Sequence, residues 1–314
     1  MPARLIIDTD TAGDDVFSIM LAMAAPQVSV EAITVVCGNV DFAQQVRNAL
    51  YTIEMMQAAG KAPAAPEVYP GCEQPLLGRR VGSERVQGND GMGEAGFPPP
   101  RRTAADEHGA LAIVRIANLY PGEVDLLAHG PLTNVAVALK LDPRLPEKIR
   151  RLVFMGGTNN SRGNISPAAE FNVYVDPLAA RMVVEAGFNL TIVPWTTTLS
   201  HGIFTVTQLD AIAGLGTPLS AFFGQVNSTN RKTCLARGYA GSTHPDSQAC
   251  AVLLDESLIT GAADYFVDVE TEGRTTRGYL LVDTAADLAR PANARMVEGV
   301  DTEAFYRMVV NMLA

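Results

Sequence analysis

The sequence predicts an α/β fold: a mostly parallel central sheet flanked by helices. Two observations predict it. Short apolar runs alternate along the chain with segments of helical period. The runs are also nearly continuous in Leu, Ile and Val, as in strands buried on both faces, and such sheets need helices on both sides. Sheets of this kind place ligands at the carboxyl ends of their strands.

Leu5-Ile6-Ile7 reads as the first buried strand, followed by an acidic loop and an apolar helix over 16–24. The β-branched run 28–37 is the second strand. Residues 41–59 have helical period, with Asp41 as N-cap. Residues 61–102 carry many Gly and Pro and little periodicity, and a loop that long is usually functional. Residues 104–119 read as a helix. Short apolar strands follow at 124–128, 152–155 and 190–193, separated by helices. Thr196-Thr197-Thr198 reads as a loop, and 270–274 as a turn between two late strands, an edge hairpin. There is no internal repeat and no linker, so residues 1–314 are read as one domain.

Composition narrows the function. The 314 residues are 47% hydrophobic and 18% charged, which excludes a disordered chain. A formal net charge of −10 repels phosphate backbones and anionic lipid, so neither nucleic acid nor a membrane is an expected partner. No run reaches the ~18 apolar residues of a membrane span. Cys37, Cys72, Cys234 and Cys250 lack zinc spacing and read as free thiols. Asp8 and Asp10 interrupt any early apolar region, so a cytoplasmic protein is expected.

Asp8-Thr9-Asp10-Thr11-Ala12-Gly13-Asp14-Asp15 places four carboxylates within eight residues after the first strand. Two carboxylates ~4 Å apart repel by about 4 kcal/mol at an effective dielectric of 20. Capping of the next helix would use one of them, not four. A hard divalent cation compensates the group, because Ca²⁺ and Mg²⁺ take oxygen ligands. A carboxylate can then remain to activate water. The hydrophobic-Asp8-Thr9-Asp10-Thr11 string resembles the first motif of haloacid dehalogenase-type phosphatases, with Asp8 as nucleophile and Asp10 as acid/base. Asp10-Thr11-Ala12-Gly13-Asp14-Asp15 resembles the signature of the nucleoside N-ribohydrolases, the inosine-uridine hydrolase family.

Four further segments favour the second resemblance. They are Gly38-Asn39-Val40, Gly130-Pro131-Leu132-Thr133-Asn134, the stretch from Met155-Gly156-Gly157 through Gly163-Asn164 and Ala169-Glu170-Phe171-Asn172 to Asp176-Pro177, and His244-Pro245-Asp246. The long stretch is similar to the family's ribose-binding loop. Asn and Glu side chains there offer directional hydrogen bonds to sugar hydroxyls. Asp176 fits an N-cap with Pro177 at the first helical position, and Asn134 either closes its turn or serves the site. The resemblance implies the open Rossmann-like fold of nucleoside hydrolases and cleavage of the N-glycosidic bond of ribonucleosides. It implies Ca²⁺ held by Asp10, Asp15, Asp246 and the backbone carbonyl of His129, with Asp10 deprotonating water. It places Asp14, Asn39, Met155 and Asn172 against the ribose and Asn164 and Glu170 at its 5′ end. It also implies a homodimer or homotetramer.

The sequence departs from the family where the leaving base is handled. Pro245 and Gln87 stand where relatives carry histidines. His244, one residue earlier, is the candidate catalytic acid, with Tyr239 and Arg237 as weaker ones. Two rival readings remain: a metal-dependent phosphatase using Asp8 and Asp10, and a ribosyl-ligand binder without turnover.

Overall fold

The structure is a computed structural model that describes residues 2–62 and 64–314. Twelve strands occur among these residues. They are β1 Ala3–Thr9, β2 Val28–Val35, β3 Glu67–Pro70, β4 Val124–Ala128, β5 Ile149–Met155, β6 Leu190–Val193, β7 Ile203–Thr205, β8 Gly241–Thr243, β9 Ile259–Tyr265, β10 Val267–Val269, β11 Leu280–Val282 and β12 Ala294–Val300. Eight of them form the main sheet in the order β3-β2-β1-β4-β5-β6-β12-β9. Every neighbouring pair is parallel except β12 and β9, which makes β9 an antiparallel edge. The strand order reverses direction between β1 and β4, so a crevice opens at their carboxyl ends.

Alternation along the strands explains why their runs are apolar on both faces. Leu5 and Ile7 of β1, with Val153 and Met155 of β5, enter one core. Ile6, Leu152 and Phe154 enter the other. The helix Asp14–Ala24 is buried over most of its length and packs against the helix Pro245–Leu254. That contact joins the first acidic segment to the last one. Among the described residues, no helix is long and apolar enough to cross a membrane, and all four cysteines are free.

Several boundaries differ from the sequence reading, each for a physical reason. The second strand ends at Val35, two residues early. A Cβ on Gly38 would stand 1.9 Å from Asp10 Oδ2, so the chain leaves the ladder to pass close over that carboxylate. The helix expected over 104–119 starts at Gly109, where His108 Nδ1 accepts the Ala110 N–H at 3.2 Å. Thr196-Thr197-Thr198 is helical, within Trp195–His201, because Pro194 ends the strand segment and opens the turn. The late hairpin exists as β10–β11 but forms its own two-stranded sheet. The main sheet is closed by β9 instead. In 61–102 only β3 and the short helix Glu84–Gln87 are regular among the described residues.

Candidate active site

The site grows from the end of β1. Asp10 and Asp15 are fully buried and lie side by side. Asp10 Oδ2 accepts the Asn39 N–H at 2.9 Å, whereas its Oδ1 is buried without a partner. Asp15 is fully engaged. Its Oδ1 accepts from Thr9 Oγ1 at 2.7 Å and faces His129 Nδ1 at 2.8 Å. Its Oδ2 accepts from the Ala12 N–H at 3.2 Å and from Asn39 Nδ2 at 3.1 Å. Asn39 thus clamps both acids, and its own Oδ1 bonds Ser83. Gly13, at φ +49°, makes the tight path between them possible; a Cβ there would collide with Gln87 Oε1 at 2.0 Å.

Asp14 ties the first acidic segment to the helix Pro245–Leu254. Its carboxylate accepts four protein hydrogen bonds: from the N–H groups of Asp246 (2.6 Å) and Ser247 (3.0 Å), from Ser247 Oγ (2.6 Å) and from His244 Nδ1 (3.0 Å). These bonds hold its carboxylate in one orientation. Asp14 caps the helix Pro245–Leu254 across the fold and thereby positions Asp246. Asp14 also lines the cavity, within reach of a bound sugar.

His244 needs correction. It is fully buried, stacked on Phe204 and Phe223 with ring centroids 4.4 and 5.6 Å away. Nδ1 meets Asp14 and Nε2 meets Ser242 Oγ at 2.8 Å. Both ring nitrogens are occupied and the ring is absent from the cavity wall. Pro245, at the first turn, forces this outcome: the helix starts there, and the preceding residue points back into the core. His244 cannot hand a proton to a leaving base.

Above the acids lies a cavity of about 570 Å³. Asn39, His129, Met155, Asn164, Glu170, Asn172 and Asp246 all line it. Asn164 Oδ1 accepts the Phe171 N–H at 2.8 Å. Glu170 is the N-cap of the helix Phe171–Val175 and accepts from the Gly157 and Asn172 N–H groups, both at 2.9 Å. Asn172 Nδ2 donates to the carbonyls of His129 (3.2 Å) and Met155 (3.0 Å). The loop and the two strand ends are therefore one polar network. Tyr239 and Arg237 stand in the wall, as do Gln87, Trp195, Asn230 and Cys234, most of which no sequence motif marked. Trp195 had a signal that was missed, since its strand ends beside Met155.

Asp8 does not reach the cavity. It is buried behind the acids, where Thr34 Oγ1 (2.6 Å) and Asn134 Nδ2 (2.8 Å) donate to its Oδ1. The phosphatase reading needs Asp8 as an accessible nucleophile, and nothing in the site favours it. Asn134 also bonds the Val35 carbonyl and the Cys72 N–H, tying β2 to the segment after β3. Asp176 caps its helix through the Ala179 N–H and holds Leu76 and Thr133 as well.

The electrostatics follow from burial. Asp10 is pushed well above the usual carboxylate range by loss of water and by its neighbour Asp15. Asp246 is pushed up by burial and then by Asp15, Asp14, Asp10 and Glu170. Burial raises Glu170 to about 7, against the backbone N–H groups it accepts. Asp8 rises to about 6 for the same reason. A divalent cation among these groups would reverse the shifts. The residues fit one: Asp10 Oδ1 is an orphaned buried oxygen, and donor atoms of Asp15, His129 and Asp246 all lie within 4.8 Å of one another. The His129 carbonyl keeps a second lone pair beside its bond from Asn172.

Comparison with known proteins places this geometry. The sequence profile described as inosine-uridine preferring nucleoside hydrolase matches residues 5–307. The chain is 31% identical to an inosine-uridine preferring nucleoside hydrolase of Leishmania major, over 100% of this chain and 98% of that one. It is 29% identical to a pyrimidine-specific ribonucleoside hydrolase of Escherichia coli, covering 98% and 95%. The solved purine-preferring ribonucleoside hydrolase of Gardnerella vaginalis superposes with a TM-score of 0.90 at 28% identity, covering 99% and 98%. A profile match over nearly the whole chain, on a fold shared to this extent, shows that the chain belongs to the inosine-uridine preferring nucleoside hydrolase family of enzymes.

Proposed function

We propose that the protein hydrolyses the N-glycosidic bond of ribonucleosides to ribose and free base, with a divalent cation in the acid cluster. The observation that carries this reading is the unpartnered, buried Asp10 Oδ1 beneath a polar cavity at the switch point of the sheet. The relatives' names span inosine-uridine, pyrimidine and purine preferences at similar identity, so the substrate class is ribonucleosides as such.

Asp10, Asp15, Asp246 and the His129 carbonyl would hold the cation; oxygens alone would select calcium. When bound, it would supply positive charge that acidifies a neighbouring water and neutralises the carboxylates. Asp10 accepts the proton of the attacking water. Asn39, Asn164, Glu170, Asn172 and Met155 orient the sugar. N-glycoside cleavage passes through a cationic, oxocarbenium-like sugar, and a pocket lined by carboxylates favours that charge. The electron pair of the broken C–N bond leaves with the base. With His244 buried, Tyr239 and Arg237 are wall residues that can bond to the departing base. The same reading gives a homodimer or homotetramer, which light scattering would measure.

Two substitutions test the reading. Asp10→Asn should lower ribose release by about 10²–10⁴-fold, the usual worth of a general base. Asp8→Asn, which keeps both hydrogen bonds to its Oδ1, should change it little. Loss of activity in Asp8→Asn with Asp10→Asn active would overturn the assignment.

A further inference from the structure

The cavity wall is not uniform in charge. The groups assigned to the sugar come from strand ends and from the loop that carries Asn164, Glu170 and Asn172. Much of the remaining wall comes from two helices that pack together, Glu84–Gln87 and Ser228–Ala236 with the turn after it. They bring Arg85, Gln87, Asn230, Arg237 and Tyr239 to the cavity. Asn230 is engaged internally: its Nδ2 donates to the Thr243 carbonyl at 3.0 Å and its Oδ1 accepts from Cys234 Sγ at 3.0 Å. Recognition on this side falls to the other four.

The carboxylates of the wall are matched. Asp14 accepts from His244, Ser247 and the Asp246 N–H. Glu84 pairs with Arg80 at 2.7 Å, Glu170 caps its helix, and Asp246 belongs to the acid cluster. The two arginines are not matched. Among the described residues neither the Arg85 nor the Arg237 guanidinium has an ion pair or a hydrogen bond, and Glu84, beside Arg85 in sequence, is spent on Arg80. Both arginines are exposed and so stand at the cavity mouth. Two free guanidinium groups on packed helices, in a chain of net charge −10, form a receptor for an anionic ligand group. Their planar fork matches a carboxylate.

We infer that the site favours ribosides whose base carries a carboxylate, with Arg85 and Arg237 reading that charge. This rests on the hydrolase reading above and names the kind of base it takes. A pyridine carboxylate joined to ribose through its ring nitrogen is such a base. Water adds to the anomeric carbon and Asp10 takes its proton. The electron pair of the C–N bond returns to the ring nitrogen and cancels its positive charge. The base leaves without receiving a proton, which fits a wall from which His244 is absent.

The test compares nicotinate riboside with nicotinamide riboside, a carboxylate against a neutral carboxamide, on the full-length protein supplied with a divalent cation. Ribose release should favour the carboxylate by at least about fivefold in kcat/KM, the worth of one well-placed exposed ion pair. The ratio should fall toward one in about 1 M salt, where screening reaches ~3 Å, and in the double variant Arg85→Gln, Arg237→Gln. A smaller preference in the wild type, or one that persists in the double variant, overturns the inference. If that variant does not fold, the response to salt decides in the same way. Inosine 5′-monophosphate cleaved faster than inosine would assign the arginines to a sugar phosphate and overturn it as well. Ribose released from inosine or uridine leaves the hydrolase reading standing in each of these cases. Release from no riboside overturns both.

Discussion

Two histidines show how much a residue's neighbours decide. His244 is next to the motif proline and His129 is next to the motif glycine, and the sequence ranked the first as the chemical one. The structure places the first away from the cavity and the second in its wall. His244 is locked between Asp14 and Ser242 inside an aromatic pocket, while His129 lines the cavity and bonds Asp15. Which way an imidazole points is set by contacts over 100 residues away in sequence, such as Asp15 to His129, and no local pattern encodes that. His244→Ala should destabilise the fold by about 1–3 kcal/mol for each buried group left unpaired, read from urea denaturation. The acid limb of the pH–rate profile should not move, and its disappearance would restore His244 as the acid. Asn39, Asn164, Glu170 and Asn172 were legible because their motif spacings are short and their loops are anchored at strand ends.

Glu170 gives a prediction with a definite sign. Its carboxyl is raised from 4.5 to about 7 in the fold. The native state therefore binds the proton more tightly than the unfolded chain does. Its contribution to stability is full below about pH 4.5 and is lost as pH rises through 7. In metal-free protein, thermal stability measured from pH 5 to 7.5 should fall with rising pH, and Glu170→Gln should flatten that slope. A steeper slope in the variant would contradict the assignment.

At the scale of elements, the central strands were legible and the late ones were not. β1, β4 and β6 are dense apolar runs between glycine and polar turns, so composition alone marks them. β7 and β8 are three residues each and carry no readable period. β9 and β12 pair across 28 residues of irregular chain and β10–β11, which only long-range contact specifies. Caps were clearer. Asp41 accepts the Gln44 N–H at 3.2 Å, and Asp176 accepts that of Ala179 at 3.0 Å, as a cap before Pro177 should. Asp176 also holds Leu76 and Thr133. Asp176→Ala should therefore cost more than the ~1 kcal/mol of an ordinary cap, measured by denaturation, while Asp41→Ala should cost no more than that. Equal costs would mean that the cross-fold bonds of Asp176 contribute nothing.

Over the whole molecule, the acid cluster links stability to ligand. Asp10, Asp14, Asp15 and Asp246 come from two ends of the chain and are held together by the packing of Asp14–Ala24 on Pro245–Leu254. A cation bound only by the folded protein should stabilise it by about 2.7 kcal/mol at one hundred times its dissociation constant. The melting temperature should rise accordingly and return after chelation. The alternation of strands and helices was readable from the outset, but the sheet order was not. It depends on where β12 inserts, and that is settled by the fit of two cores rather than by any local run.

The most direct measurement is release of free ribose from a panel of purine and pyrimidine nucleosides, made before chelation, after it, and after a divalent cation is restored. Release that stops on chelation and resumes with the cation is the expected result. Folded protein that releases no ribose from any nucleoside with a cation bound would contradict the hydrolase reading of this site.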